Sequence, residues 1–432
     1  MRLTSISNAR ITLVAFALGC LPLACGNDTK NKDNTIDAGP EFIADGLFDG
    51  NEASADGGTG APVERCTVSG TESGFIDIPV NDPGVRYVGR VDETADTISF
   101  AFPAVQIQTI FNGDAIDMKL RDHGLRSNTG TNYYWVIIDG EAKKLEVCAA
   151  RKTYALARHL SAGPHTLTIV KRTEGGPGGQ ANAGKGEFLG FRVHPGTTLS
   201  APPKPERLVE FVGDSITCGY GNEVSTTTPD DFKFTSTNED AYNAYGAITA
   251  RTFGADYVAV AVSGRGVIRN YSGFAGTFVP AIYETTLPED STAPAWDHTS
   301  YTPDVIVVNL GTNDFSPGIE LDQLETFRAT FRQGYIDFLT RIRAVHANAS
   351  IIAVVGPMMG DSYPTGYNAL TSITADIQAA VKARQDASDS DVHFFALSPQ
   401  SSPYGEDWHP TVATHQKMAN ELAPLISQLR GW

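Results

Sequence analysis

The chain is short of positive charge, of sulfur and of any apolar run long enough to span a bilayer. Its 432 residues carry 33 Lys and Arg against 50 Asp and Glu, a formal net charge of -17. A surface of that sign repels phosphate backbones, which excludes a nucleic-acid partner. Cysteine is scarce, with five residues, and the nine histidines do not join it in any metal-ligand spacing. No metal or other cofactor is expected. Asp45, Asp49 and Asp56 are spaced unlike a calcium loop. The run from Ile11 to Leu23 is too short for a transmembrane helix.

That run has another use. Arg2 and Arg10 flank it with positive charge, and small residues and cysteines close it, so residues 1–25 read as an export signal. Both Cys20 and Cys25 follow imperfect lipobox-like sequences. Cys25 is the better lipidation candidate, because a polar stretch begins directly after it. The protein is then either a surface lipoprotein, held to a membrane only through an N-terminal lipid, or cleaved and released. Residues 26–63 are rich in Asp, Asn, Gly and Ala and bury too little to offset chain entropy; they read as a linker.

Residues 64–200 read as β. Short runs such as Thr97–Phe102, Val105–Phe111, Tyr133–Ile138 and Phe188–Val193 stand between Gly, Asn, Asp and Pro, and several alternate apolar with polar. About eight such runs predict a sandwich or jelly roll. Export permits a disulfide, and Cys66 with Cys148 is the expected pair within this domain. Cys218 is left as a small buried thiol. Residues 201–432 open on the stiff Ala201-Pro202-Pro203-Lys204-Pro205 connector and alternate strand-like with helical patterns. A helix is expected from Asn238, and a stripe from Leu324 to Val345 has helical spacing. Five βα units predict a parallel sheet covered on both faces.

Within that second domain, chemistry-bearing residues follow the ends of apolar runs. Ser215 follows the short strand expected over Arg207–Val212, on a Gly-Asp-Ser turn, where open α/β sheets build sites. Thr217 stands where a Gly-x-Ser-x-Gly elbow needs glycine, which argues against the α/β-hydrolase fold. Ser263-Gly264-Arg265-Gly266 follows the next run, Gly311-Thr312-Asn313-Asp314 the one after, and Asp407-Trp408-His409 stands near the end. A serine nucleophile needs a base and oxyanion donors, and these blocks contain both.

The four blocks, in this order, resemble the SGNH (GDSL) hydrolases. The resemblance implies a flavodoxin-like three-layer domain with a five-stranded parallel sheet. It implies Ser215 as nucleophile, His409 as base and Asp407 as its orienting carboxylate. The amides of Ser215 and Gly264 and the Asn313 side chain would hold the oxyanion, with Gly266 an open alternative to Gly264. Tyr87-Val88-Gly89-Arg90, Asp139-Gly140 and Cys218-Gly219-Tyr220-Gly221 resemble carbohydrate esterase family 2, in which a jelly roll precedes the hydrolase domain. This implies removal of O-acetyl groups from polysaccharides such as xylan or glucomannan, with primary 6-position esters preferred. Trp408 and Trp296 are candidate sugar platforms. Rate should fall as pH drops through the pKa of His409, near 6.5 if unperturbed. A monomer is expected. The rival readings are a non-catalytic carbohydrate-binding lipoprotein and an SGNH lipase or thioesterase.

Overall fold

The computed structural model describes residues 73–124, 131–148, 150–176 and 183–432. Twelve strands come first: β1 (Ile76–Ile78), β2 (Val85–Val88), β3 (Asp92–Glu93), β4 (Ile98–Phe100), β5 (Gln106–Asn112), β6 (Ile116–Asp122), β7 (Tyr133–Ile138), β8 (Glu141–Glu146), β9 (Ala150–Ala157), β10 (Pro164–Lys171), β11 (Gly186–Val193) and β12 (Thr198–Ser200). One antiparallel sheet has the order β3-β4-β11-β6-β9, with β1 added on β11. The other has the order β12-β5-β10-β7-β8, with β2 added on β5. Side chains two apart share a face of a strand. Ile116, Met118 and Leu120 of β6 therefore point together into a buried cluster that also holds Ile107, Leu167 and Ile169 of the other sheet. Cys148 is disulfide-bonded. Its expected partner Cys66, like Cys25, lies outside the described residues.

The second region runs β13 (Leu208–Gly213), α1 (Ser215–Cys218), α2 (Tyr245–Thr252), β14 (Asp256–Ala261), α3 (Val279–Ile282), β15 (Val305–Asn309), α4 (Leu324–Val345), β16 (Ser350–Val355), α5 (Ala369–Asp386), β17 (Val392–Ala396) and α6 (Val412–Arg430). Its five strands are parallel, in the order β14-β13-β15-β16-β17. Both faces are covered, so the central strands are apolar at nearly every position. Within β15, Ile306 and Val308 pack with Phe331, Tyr335 and Ile342 of α4. Val305 and Val307, pointing the other way, pack with Tyr245 of α2 and Leu422 of α6. The chain leaves β13 and returns on opposite sides at β14 and β15, which makes the carboxyl ends of these strands the switch point where open α/β sheets build their sites.

The helix expected from Asn238 starts later, at Tyr245. The extended backbone of Ala244 divides it from a short 3-10 turn, Ala241–Asn243, which is capped by Asp240. Its carboxylate accepts from the Tyr242 amide and, across the domain boundary, from the Trp135 indole of β7. The two regions form one compact unit. A second tie between them is Arg90, fully buried, whose guanidinium pairs at 3.2 Å with Glu210 in the middle of β13. Tyr283 and Tyr301 donate their hydroxyls to the same carboxylate. With its remaining charge and hydrogen bonds satisfied, this pair is tolerable in a dry interior. No described helix is long and apolar enough to cross a membrane.

Candidate active site

β13 ends at Gly213 and the chain turns directly into the single-turn helix α1, whose first residue is Ser215. Asp214 caps that turn, its Oδ1 accepting from the Ile216 amide at 3.1 Å. The first amides of a helix have no partner within it. The Ser215 N–H is one of these orphans, and none of the described residues accepts from it. Its hydroxyl has one partner: His409 Nε2, at 2.8 Å.

His409 comes from the segment before α6 and is held on two sides. Its Nδ1 lies 3.0 Å from the carbonyl oxygen of Glu406. The Tyr220 ring stacks on it, with centroids 4.1 Å apart. A carbonyl can only accept, so Nδ1 carries the proton and neutral Nε2 faces Ser215 with its lone pair. That is the tautomer a general base requires.

The orienting acceptor is therefore the Glu406 main chain, where the sequence pattern pointed to the carboxylate of Asp407. Asp407 and Trp408 both have left-handed backbones, with φ of 48° and 67°. This turns the Asp407 carboxylate outward, onto the Tyr220 hydroxyl at 2.8 Å and Lys233 Nζ at 2.8 Å. Its link to His409 runs through the Tyr220 ring. Glu406 is fixed from below: its buried carboxylate accepts from the Thr235 amide and hydroxyl and from the Asn238 amide group. Gly221 lets this turn approach, since a Cβ there would stand 2.4 Å from Glu406 Cβ. Glu406 and Tyr220 were both missed as site residues. We expect Asp407→Asn to lower kcat/KM on an aryl acetate by no more than about tenfold, against the roughly ten-thousand-fold loss when an orienting triad aspartate becomes Asn. Steady-state assays of the two proteins check this.

Gly264 follows β14 with φ of 77°, a backbone that suits glycine. Its N–H also finds no acceptor among the described residues. Gly266 differs: its amide donates to Asn270 Oδ1 at 3.2 Å. Of the two glycines, Gly264 has the amide free to act. Asn313 follows β15 and lies between the other two loops. Its Nδ2 donates to Asp214 Oδ2 at 3.0 Å and to the Arg265 carbonyl at 2.9 Å. Both hydrogens are thus engaged, and an oxyanion would have to share one of them. Asp314 accepts from the amides of Val267, Ile268 and Arg269 and so shapes the glycine loop.

Burial sets the charges. It pushes His409, half-buried at the rim, down to about 4, with the Glu406 carbonyl and Asp407 opposing. It pushes the fully enclosed carboxyl of Asp214 up to about 7. Behind the serine, Glu174, Cys218 and Glu239 bring one ligand atom each within 4.8 Å of one another, a grouping able to take a metal ion. The ammonium of Lys171, bonded to the Glu174 carbonyl at 3.2 Å, already brings positive charge to this cluster.

The two tryptophans part company. Trp408 is 45% exposed beside His409, its ring edge tied to Asp230 and its face near Tyr404. Trp296 is not placed as a platform. The Arg90 guanidinium lies 5.0 Å from its ring centroid and Tyr301 packs 5.3 Å away, so it belongs to the interdomain ion cluster. A cavity of about 400 Å³ lies between Arg86, Gln106, Tyr242 and Asp256 and includes none of the residues around Ser215.

A serine activated by histidine at the switch point of a parallel sheet is the working part of a serine hydrolase. Comparison with known proteins agrees. Residues 211–417 match the GDSL-like lipase/acylhydrolase family, and residues 87–203 match the carbohydrate esterase 2 N-terminal family. Cellulase/esterase CelE of Acetivibrio thermocellus is 35% identical over 82% of this chain, which spans 40% of the length of that relative. An acetylxylan esterase / glucomannan deacetylase of Cellvibrio japonicus is 29% identical over 82% of this chain and 91% of its own. A family two carbohydrate esterase from Clostridium thermocellum, solved in complex with cellohexaose, is 34% identical. It superposes with a TM-score of 0.71 over 81% of this chain and 99% of that one. The chain belongs to carbohydrate esterase family 2, within the SGNH (GDSL) hydrolases.

Proposed function

We propose that the protein is an exported serine esterase that removes O-acetyl groups from polysaccharides of the xylan or glucomannan type. The observation that carries this is the 2.8 Å contact between Ser215 Oγ and a histidine whose other nitrogen is fixed by a main-chain carbonyl. His409 takes the Ser215 proton as the hydroxyl attacks the acetyl carbon. The oxyanion is held by the amides of Ser215 and Gly264, with the Asn313 side chain beside them. His409 then gives its proton to the leaving sugar oxygen. Water, deprotonated by His409, cleaves the acetyl-enzyme by the same steps in reverse order of partners.

The carbohydrate class follows from the family and from the cellohexaose held by the relative described above. Trp408 offers an exposed indole next to the base, where a sugar ring could stack. The finer choice, a primary 6-O-acetyl ester, fits a site in which the nucleophile is only 8% exposed and a protruding ester would reach it more easily than a ring ester. The N-terminal segment suggests export, with either a lipid on Cys25 or release. Acetate release from acetylated xylan, acetylated glucomannan and singly acetylated glucosides tests the reading. We expect the 6-O-acetyl glucoside to be cleaved at least about tenfold faster than its 2-O and 3-O isomers. Failure to release acetate from any of them, with long-chain aryl esters cleaved instead, would overturn it in favour of a lipase.

A further inference from the structure

Residues 171–174, at the end of β10, form a plug from the sandwich into the hydrolase region. Lys171, Arg172, Thr173 and Glu174 are each no more than 1% exposed, although all are polar. The Arg172 carbonyl accepts from the Ala241 amide, and its side chain pairs with Glu223. Lys171 donates to main-chain oxygens of Thr173 and Glu174 and to Asn132, and not to the carboxylate of Glu174. That carboxylate is directed elsewhere. Its Oε2 accepts from the main-chain amide of Ser263 at 2.6 Å and from Cys218 Sγ at 3.5 Å. Ser263 is the residue before Gly264, and Cys218 is the last residue of the helix that begins at Ser215.

We propose that Glu174, contributed by the β-domain, is a positioning residue for the hydrolase: by holding the Ser263 amide and the end of α1 it fixes the direction in which the free Gly264 amide points. The proposal rests on the reading of Ser215 as nucleophile and Gly264 as oxyanion donor. Gly264 needs such a restraint. It has no side chain, its added Cβ would meet only Tyr271 at 4.0 Å, and its backbone adopts a region most residues avoid. A loop with that freedom loses donor alignment unless something outside it sets the preceding peptide, and misplacement near 1 Å can lower a rate about a hundredfold.

The charge state suits the task. A full negative charge beneath a developing oxyanion would oppose it. Glu239, also fully buried, accepts no side-chain hydrogen bond among the described residues. Burial pushes both Glu174 and Glu239 upward, toward the protonated form, and the two carboxyls share the nearby positive charge of Lys171. Glutamine at 174 would reproduce the protonated form, keeping an oxygen for Ser263 and offering N–H to Glu239. Aspartate keeps the carboxyl but is one methylene too short to hold a 2.6 Å contact with Ser263.

The test is Glu174→Asp beside Glu174→Gln in the full chain, with kcat and KM for an aryl acetate, melting temperature, and hydrogen exchange of the 262–270 loop. We expect Glu174→Asp to lower kcat about thirtyfold with KM within about twofold, and to speed exchange in that loop about tenfold with β15 and β16 unchanged. Glu174→Gln should keep kcat within about threefold and the wild-type exchange rate. A variant pair that loses melting temperature while keeping both kcat and loop protection would assign Glu174 a purely structural role and overturn the proposal. If the wild type itself released no acetate, the esterase reading would fail, and the exchange measurement would still decide whether Glu174 holds the loop.

Discussion

Ser215→Ala will leave a folded protein whose aryl-acetate turnover is lower by about a million-fold, the loss found when a catalytic serine is removed from a comparable machine. The size follows from what the substitution takes away. Only Oγ is lost, and Oγ has one partner, His409 Nε2 at 2.8 Å. The cap of α1 is the Asp214 side chain, and the orphan amide at 215 belongs to the main chain, so both survive. No buried group is left without its partner other than the imidazole, which faces the rim. The melting temperature should therefore stay within a few degrees of wild type. Initial rates with an aryl acetate, read above the spontaneous background, and a thermal melt are sufficient. Turnover within about tenfold of wild type would remove Ser215 from the mechanism, and a collapse of the melt would mean that the hydroxyl has a structural role not visible in its contacts.

The nucleophile and the glycine loops were legible in the sequence because each stands directly after an apolar run, and the base because His409 closes the Asp407-Trp408-His409 block near the end of the chain. A parallel strand buried on both faces is hard to disguise: β13, β14, β15 and β16 are buried at every position. Where such runs stop, the chain is at the carboxyl edge of the sheet, and polar residue types there carry information. β9 had no such signal. Its three alanines and Lys152 are poor markers of a strand, and it exists because β6 offers it a full ladder of partners.

The orientation of His409 could not be read from residue types. A main-chain carbonyl does the work, and every residue has one. Spacing instead suggested Asp407, two positions away, but two successive left-handed residues reverse the direction in which that carboxylate points. Trp296 misled for a related reason. Its aromatic face is taken by Arg90, which lies in another domain. Glu239 looked like part of a helix start, and only the insertion of Lys171 to Glu174 behind the serine turn makes it a member of a buried cluster. Contacts between regions distant in sequence account for the last two cases, and periodicity within one segment contains no trace of them.

His409→Ala should match the loss at Ser215, and the wild-type enzyme should stay active far into acid. The base works only when neutral. Burial disfavours its protonated form and holds its pKa near 4, so kcat/KM should run level through pH 6.5 and fall to half near pH 4. Two other groups near the serine titrate in the measured range: Asp214 and, under the glycine loop, Asp314, which burial pushes up to about 6. Asp214, held up to about 7, touches Asn313 and the Ile216 amide but not His409. A step near pH 7 that vanishes in Asp214→Asn belongs to it, a step nearer 6 that remains there belongs to Asp314, and the limb near 4 remains in either case. Stability runs with a defined sign in the same window. A histidine neutral in the fold and protonated when unfolded loses stability as pH falls from about 6.5 towards its folded pKa. His415, fully enclosed and pushed down to about 3, adds to that loss. The profile must accordingly be measured well below the melting temperature at each pH, with the enzyme returned to pH 7 afterwards to show that activity recovers. A reversible limb at pH 6.5 that persists in both Asp214→Asn and Asp314→Asn would mean that water reaches the imidazole freely, and the enclosed Ser215–His409 contact would then not be the resting state of the enzyme.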